Sequence, residues 1–166
     1  MVIRMNKTDP APSATIIPLP MPPFPKKSVR RSEDKWTPTV MKFGYTPLPN
    51  LLLRAQGKLK ITPLQLNVLV QLAEHWWEAD KDPYPAKERI ALRMGKSQRQ
   101  VQRYLTQLEK QGFIKRSARY NGKKAQTSNA YSMQGLINKL KNVAPEFEKA
   151  AEQTRLKKKK LESAKV

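Results

Sequence analysis

Four side chains near the start of one predicted helix have the chemistry needed to read base edges in a DNA groove. They are Gln98, Arg99, Gln102 and Arg103. A guanidinium group offers parallel donors that match the O6 and N7 acceptors of guanine, and a carboxamide matches adenine in the same way. Side chains close to the helix N-terminus are the ones that reach base edges in the major groove. We therefore expect these four to contact bases.

The spacing of apolar residues predicts which side of this helix, residues 97–111, faces the core. Apolar side chains recur at i, i+3, i+4 and i+7, which are Val101, Tyr104, Leu105 and Leu108. Because successive residues turn by about 100°, the opposite face is polar and cationic and has no carboxylate. That face carries Arg99, Arg103, Thr106 and Lys110, with Gln102 on its flank. The helix therefore offers positive charge to a partner outside the protein.

The chain as a whole is strongly basic. It has 33 Lys and Arg against 13 Asp and Glu, a net charge of +20. This imbalance indicates a polyanionic partner, nucleic acid before an anionic membrane surface. Residues 85–131 contain 12 basic side chains and two acidic ones. A face exposed only to water usually mixes both signs, so a plain solvated face is the weaker interpretation.

A long helix before this segment is predicted to form the spine of the core. Thr62, Pro63 and Gln65 have the order of an N-cap, a first-turn proline and a capping box. The helix is expected to run to about Trp77, with an apolar stripe along one side. The members of that stripe are Leu66, Leu69, Val70, Ala73, Trp76 and Trp77.

The remaining elements predict the fold class. A helix over residues 86–94 and the helix over 97–111 are joined by a tight turn. A strand over 113–116, the turn signal Asn121-Gly122 and a return strand over 129–133 predict a β-hairpin directly afterwards. Two helices, a turn and a basic hairpin make a mainly α fold with a small wing, the winged helix-turn-helix.

A second set of polar and basic residues is expected to contact the DNA backbone. The wing, residues 117–128, can straddle phosphates or enter a minor groove. The start of the cationic helix can hold a phosphate. The residues of this set are Lys96, Ser97, Thr106, Lys110, Arg119, Tyr120, Asn121, Lys123 and Lys124.

Proline density suggests how the chain is organised, because ten of the 14 prolines lie before residue 50. Such density opposes helix formation, and we expect residues 1–35 to be a disordered basic arm. Residues 36–133 are predicted to form the winged domain, and residues 134–166 a helical extension whose lysines at 157–160 act as a tether or a solubilising tail. The expected apolar anchors at the start of the domain are Trp36, Val40, Phe43 and Tyr45.

Catalytic and metal-site chemistry finds little support in the sequence. There is no Cys, one His, no glycine loop that could cradle a phosphate and no convergent pair of carboxylates. His75 lies near several acidic residues but without a recognised ligand spacing, so we interpret it as an ordinary helix-end histidine. We expect no enzyme, no cofactor and no metal. No apolar run is long enough to span a bilayer, so we expect a cytoplasmic protein without a membrane partner.

The chain resembles bacterial winged helix-turn-helix proteins over about residues 36–140. The segments that carry the resemblance are GYTPLPNLLL (44–53), ITP (61–63), HWW (75–77), PYP (83–85), IALRMGKSQRQVQR (90–103) and LEKQGFI (108–114). Such proteins occur as transcriptional regulators and in phage and plasmid replication modules, so the resemblance implies DNA binding. Members commonly have Ser where this chain has Ala86, which removes a hydroxyl that could cap the helix or bind a phosphate.

We therefore expect a protein that binds double-stranded DNA with sequence preference, most simply a transcriptional regulator. The first alternative is a plasmid or phage replication or partition protein that binds an origin or centromere-like site and docks a replication or segregation protein through residues 145–166. The second is non-specific nucleic-acid binding, RNA included. A homodimer through the helix of residues 61–77 or the C-terminal helix is one open assembly. The expected place is the bacterial nucleoid or a plasmid.

Overall fold

The computed structural model describes residues 30–120, 122 and 125–163. This part of the chain contains six helices and one antiparallel pair of short strands. In chain order the elements are α1 (Arg30–Met41), α2 (Asn50–Arg54), α3 (Pro63–Glu74), α4 (Lys87–Met94), α5 (Gln98–Lys110), β1 (Lys115–Ser117), β2 (Ala130–Ser132) and α6 (Gln134–Ser163). The described residues divide after Gly44 into two compact units.

Helix α1 belongs to the first unit and is broken in the middle. Thr37 has non-helical backbone angles, φ 66° and ψ 149°, and it precedes Pro38, whose ring disfavours the helical conformation of the residue before it. Residues 30–35, which we expected to be part of the disordered arm, are helical. They follow the last proline of that arm and contain none. The rest of the predicted arm, residues 1–29, lies outside the described residues.

The apolar residues expected to anchor the start of the domain do not do so. Trp36, Val40, Phe43 and Tyr45 are all exposed. The hydrophobic core of the second unit begins at Leu52. Their apolar character alone led to the prediction, which is wrong because burial also needs an apolar surface to pack against.

Helix α3 begins as predicted. The Thr62 hydroxyl accepts from the Gln65 N–H at 3.3 Å, and the Gln65 side chain accepts from the Thr62 N–H at 2.9 Å, which completes a capping box. The apolar stripe predicted for α3, however, is not the face that is buried; of its six members only Leu69 is fully buried. The buried side chains of α3 are Gln65, Val68, Leu69 and Leu72, whereas Val70 is half-buried and Trp77 is exposed beyond the end of the helix. Apolar residues occupy so many positions that spacing alone supports two overlapping stripes.

Gln65 explains how a polar residue enters that buried face. It is only 2% exposed. Its amide nitrogen lies 3.3 Å from the side-chain oxygen of Gln107 and 3.4 Å from that of Gln111, both near the end of α5. Its oxygen is used in the capping box. Because both ends of the carboxamide are hydrogen-bonded, the group is buried without a large desolvation cost and ties α3 to α5.

Helices α4 and α5 form as the sequence predicts. Gly95 ends α4 in the left-handed conformation, φ 59°, which costs glycine nothing. Ser97 caps α5 and shares a capping box with Gln100. All four apolar side chains predicted for the inner face of α5 are buried: Val101, Tyr104, Leu105 and Leu108. The orientation of α5 is therefore confirmed.

The wing is an antiparallel hairpin in which Lys115 pairs with Ser132, Arg116 with Tyr131 and Ser117 with Ala130. It is preceded by Phe113 and Ile114, which we expected in the strand but which are buried in the core before it. An isolated bridge between Tyr120 and Gln126 continues the hairpin towards its tip. The mainly α fold with a small two-stranded wing is the predicted one.

Helix α6 closes the core. The Leu136 N–H donates to the Phe113 carbonyl at 2.8 Å. A Cβ atom on Gly135 would lie 2.2 Å from the Gly112 carbonyl oxygen, so this approach requires glycine. The first three turns of α6 bury apolar side chains in the same cluster as α2 to α5 and the wing: Leu136, Leu140 and Val143. No helix among the described residues combines the length and apolar character needed to cross a bilayer.

Candidate nucleic-acid interface

The outward face of α5 is exposed at both ends and partly covered in the middle. Gln98, Arg99, Arg103 and Lys110 are exposed, and Gln102 and Thr106 are half-buried. Lys96 and Ser97, at the start of the helix, are also exposed. Among the residues the structure describes, no carboxylate forms an ion pair with any of these basic side chains. With about 1.5 Å of rise per residue, the two ends of α5, Gln98 and Lys110, lie about 18 Å apart along the helix axis.

Gln102 and Thr106 are held by a hydrogen-bonded chain that begins on α4. Lys87 Nζ donates to the Gln102 side-chain oxygen at 2.8 Å, and the Gln102 amide nitrogen donates to Thr106 Oγ1 at 3.3 Å. An ammonium group has donors only, so the atom of Gln102 that faces it must be the oxygen. Lys87 therefore fixes which way the carboxamide points. One lone pair and one N–H of Gln102 remain for a partner.

Arg99 and Arg103 are less constrained. Ser97, Arg99, Gln100, Gln102 and Arg103 line a shallow depression at the start of α5. The Arg103 guanidinium lies 5.6 Å from the centroid of the neighbouring Tyr104 ring, a weak cation–π contact. That contact leaves the in-plane donors of the guanidinium free.

Two other arginines of the same segment are paired inside the chain. Arg93, on α4, forms an ion pair with Glu74 of α3 and donates to the Gln71 side chain at 3.2 Å. Arg116, on β1, forms an ion pair with Glu109 of α5. The count of 12 basic residues therefore overstates the charge that α4, α5 and the wing can offer to DNA.

The Arg116 pair has several hydrogen bonds. Arg116 Nε donates to one oxygen of Glu109 at 2.8 Å, and the Arg116 N–H donates to the other at 3.1 Å. The guanidinium hydrogen bond is the largest cause that lowers the pKa of Glu109, and the main-chain N–H adds to it against the opposing effect of burial. Both side chains are partly covered, with 20% of Arg116 and 33% of Glu109 exposed. The pair thus locks the end of α5 to the first strand of the wing.

The structure describes two of the five contact residues predicted in the wing, Arg119 and Tyr120. Arg119 is half-buried and Tyr120 is 66% exposed. The other three, Asn121, Lys123 and Lys124, lie outside the described residues. The Arg119 guanidinium lies 3.8 Å from the centroid of the Tyr84 ring, which belongs to the segment between α3 and α4. The wing is thus held against that segment.

Comparison with known families decides the class of this arrangement. Residues 59–114 match a family model described as a helix-turn-helix domain. This part of the chain is a helix-turn-helix domain. The match contains α3, α4 and α5 and ends directly before the wing. The resemblance to winged helix-turn-helix proteins is thereby confirmed.

Two solved structures are also similar to the chain. The N-terminal domain of the DnaD protein from Geobacillus kaustophilus is 21% identical, with 80% of this chain and 99% of that one covered and a TM-score of 0.48. A possible transcriptional regulator from Methanosarcina mazei is 14% identical, with 63% and 82% covered and a TM-score of 0.41. At these TM-scores neither likeness bears on function. No curated protein matches the chain.

His75 and Trp76 each have one buried ring nitrogen, Nε2 and Nε1 respectively, without a hydrogen-bond partner among the described residues. His75 Nδ1 lies 3.0 Å from the Gln71 carbonyl oxygen. Within the described residues no group of three acidic, His or Cys side chains is arranged to hold a metal ion. Trp76 packs against the core, as expected, while Trp77 is 54% exposed and donates from Nε1 to the Glu74 carbonyl at 2.8 Å.

The sequence analysis missed two residues that contact predicted site residues, Lys87 against Gln102 and Tyr84 against Arg119. Lys87 entered only as one of many basic residues, and Tyr84 only as part of the resemblance. Neither has a spacing signal, because their partners lie 15 and 35 residues away, on other elements.

Proposed function

We propose that the protein binds double-stranded DNA with sequence preference by placing α5 in the major groove. One observation carries the proposal: the basic side chains on the outward face of α5, Arg99, Arg103 and Lys110, are exposed and have no acidic partner among the described residues. A face of one sign repels itself and is stabilised by a polyanion. The diameter of a helix with its side chains, about 10–12 Å, suits the width of the major groove, about 12 Å.

The proposed roles of the side chains follow from their positions. Gln98, Arg99, Gln102 and Arg103, near the start of α5, read base edges. Lys96, Ser97, Thr106 and Lys110 contact phosphates on either side of the groove, and the wing contacts the neighbouring backbone or minor groove through Arg119 and Tyr120. Asn121, Lys123 and Lys124 are proposed for the same contact from their sequence alone. We assign this activity to residues 36–133.

The test of this proposal is the selection of bound duplexes from a random pool. A recovered consensus supports sequence-specific binding, and a palindromic consensus supports a homodimer. Equal retention of all duplexes and of RNA would instead support the non-specific alternative. Measured affinity should fall steeply with salt, because each phosphate contact releases counterions.

A transcriptional regulator is the simplest biological role for such a protein. A replication or partition protein is the second candidate, and the second half of α6 favours it. Beyond Phe147 every described side chain of α6 is exposed, so this part of the helix is available to a partner protein. A replication or segregation component that co-purifies with the full chain, and is lost when residues 145–166 are deleted, would decide for this role.

A further inference from the structure

We infer that Tyr84 is a positioning residue for DNA binding, because its ring holds the Arg119 guanidinium of the wing in place for a phosphate. The inference rests on the proposed function, since it adds a residue to the wing contact described there. Tyr84 lies outside α5 and outside the wing, in the segment between α3 and α4. Its role would therefore be to act on DNA through Arg119.

The geometry of this contact is close and exposed. The guanidinium carbon of Arg119 lies 3.8 Å from the centroid of the Tyr84 ring, well within the distance at which a cation over an aromatic face is attracted to it. The Tyr84 side chain is 52% exposed. Arg119 has no ion-pair partner among the described residues. The contact with the ring therefore helps to order this arginine.

A guanidinium held over a ring is well prepared to bind a phosphate. The five N–H donors of arginine lie in the plane of the group, so a ring below that plane takes none of them. Ordering a long side chain costs entropy when it binds, and a side chain that is already ordered avoids much of that cost. Because phosphates are the same in every sequence, the gain should be equal for all duplexes.

Main-chain contacts hold the same segment to the wing without using the ring. The Pro83 carbonyl accepts from the Tyr131 N–H at 2.9 Å, and the Tyr84 carbonyl accepts from the Ser128 hydroxyl at 2.8 Å. Replacing the Tyr84 side chain leaves both hydrogen bonds in place. The substitution Tyr84→Leu therefore removes the ring face while the wing stays anchored, and Tyr84→Phe is the matched control that keeps the ring.

The experiment measures the affinity of the full chain for the duplex recovered by selection and for an unrelated duplex. Tyr84→Leu should weaken binding to both by the same factor, about two- to fivefold, and Tyr84→Phe should stay within about twofold of the wild type. Arg119→Met should weaken both duplexes more. In the Arg119→Met background, Tyr84→Leu should have no further effect, because its action passes through Arg119. A thermal unfolding curve of each variant shows that the fold is kept.

Other outcomes overturn the inference. If Tyr84→Leu weakens binding equally in both backgrounds, the ring acts on DNA or on the fold directly and not through Arg119. If Tyr84→Leu binds like the wild type, the stack has no part in binding, although the proposed function stands. If the wild type binds no duplex at all, the proposed function fails and this inference fails with it.

Discussion

Two pairs of arginines in the segment formed by α4, α5 and the wing have opposite surroundings. Arg99 and Arg103 project from α5 without an acidic partner among the described residues, whereas Arg93 and Arg116 form ion pairs with Glu74 and Glu109. A charge count treats all four alike. Their partners separate them, since a paired arginine stabilises the fold and an unpaired one is free to bind an anion.

The largest effect on DNA affinity is expected from Arg99 and Arg103, the two arginines without an acidic partner among the described residues. Arg103→Met should weaken binding to the preferred duplex by about 10- to 100-fold, since a bidentate contact to guanine contributes about 1–3 kcal/mol of discrimination. Binding to unrelated duplexes should change much less, and the unfolding midpoint should stay the same because the side chain makes only a weak contact within the fold. Titrations with both duplexes and thermal unfolding measure this. An equal loss on both duplexes would assign Arg103 to the backbone instead.

The same substitution at Arg116, which is ion-paired, should have the opposite result: a loss of stability with little change in DNA affinity. Arg116→Met leaves the partly covered Glu109 carboxylate without its guanidinium donors, so the free energy of unfolding should fall by about 1–2 kcal/mol. Affinity for DNA should change less than about threefold while the protein is folded, because Arg116 faces Glu109 and not the groove. Denaturant unfolding and DNA titration separate the two effects. A variant of normal stability that no longer binds DNA would contradict the comparison.

Lowering the pH should reduce the stability that the Arg116–Glu109 pair gives to the fold. The folded-state pKa of Glu109 lies below its ordinary value of 4.5. The group therefore contributes stability that is fully present above about pH 4.5 and is lost as the pH falls through the folded pKa. Wild-type stability should fall over that acid range, and the fall should be smaller in Arg116→Met, where the cause of the pKa shift is absent. Parallel pH profiles of the two proteins would show that another carboxylate dominates.

The contrast between these arginines also explains what sequence could predict. The caps Ser97 and Thr62 and the buried face of α5 were predictable because each depends on residues within one or two turns. The Arg116–Glu109 pair was not, because it joins a helix to a strand through the geometry of the turn at Gly112. In α5 the local pattern therefore predicts which residues face outward, whereas tertiary packing decides which of them have partners.

The errors have the same cause. The stripe on α3 was centred wrongly because burial of Gln65 depends on Gln107 and Gln111 of another helix. Trp36 and Phe43 were expected to be apolar anchors at the start of the domain because of their type alone, and they are exposed. In each case the deciding partner lies more than ten residues away or is missing from the surroundings of the side chain.

The smallest effect on DNA binding is expected for Lys87, which acts on DNA only through the side chain of Gln102. Lys87→Met keeps the length of the side chain but removes the donor that orients the Gln102 carboxamide. Once released, the carboxamide can present its oxygen or its nitrogen to the groove, so discrimination should fall by about three- to tenfold at a single base pair, within the range of one lost neutral hydrogen bond.

Lys110→Gln is the control for this last prediction. It should lower affinity for all duplexes alike and reduce the salt slope by about one, as expected for a lost phosphate contact. Binding assays on a set of single-base-pair variants of the preferred duplex measure both proteins. If Lys87→Met gives the uniform profile of Lys110→Gln, then Lys87 contacts a phosphate itself. The orientation of Gln102 would in that case be a consequence of packing and not a determinant of specificity.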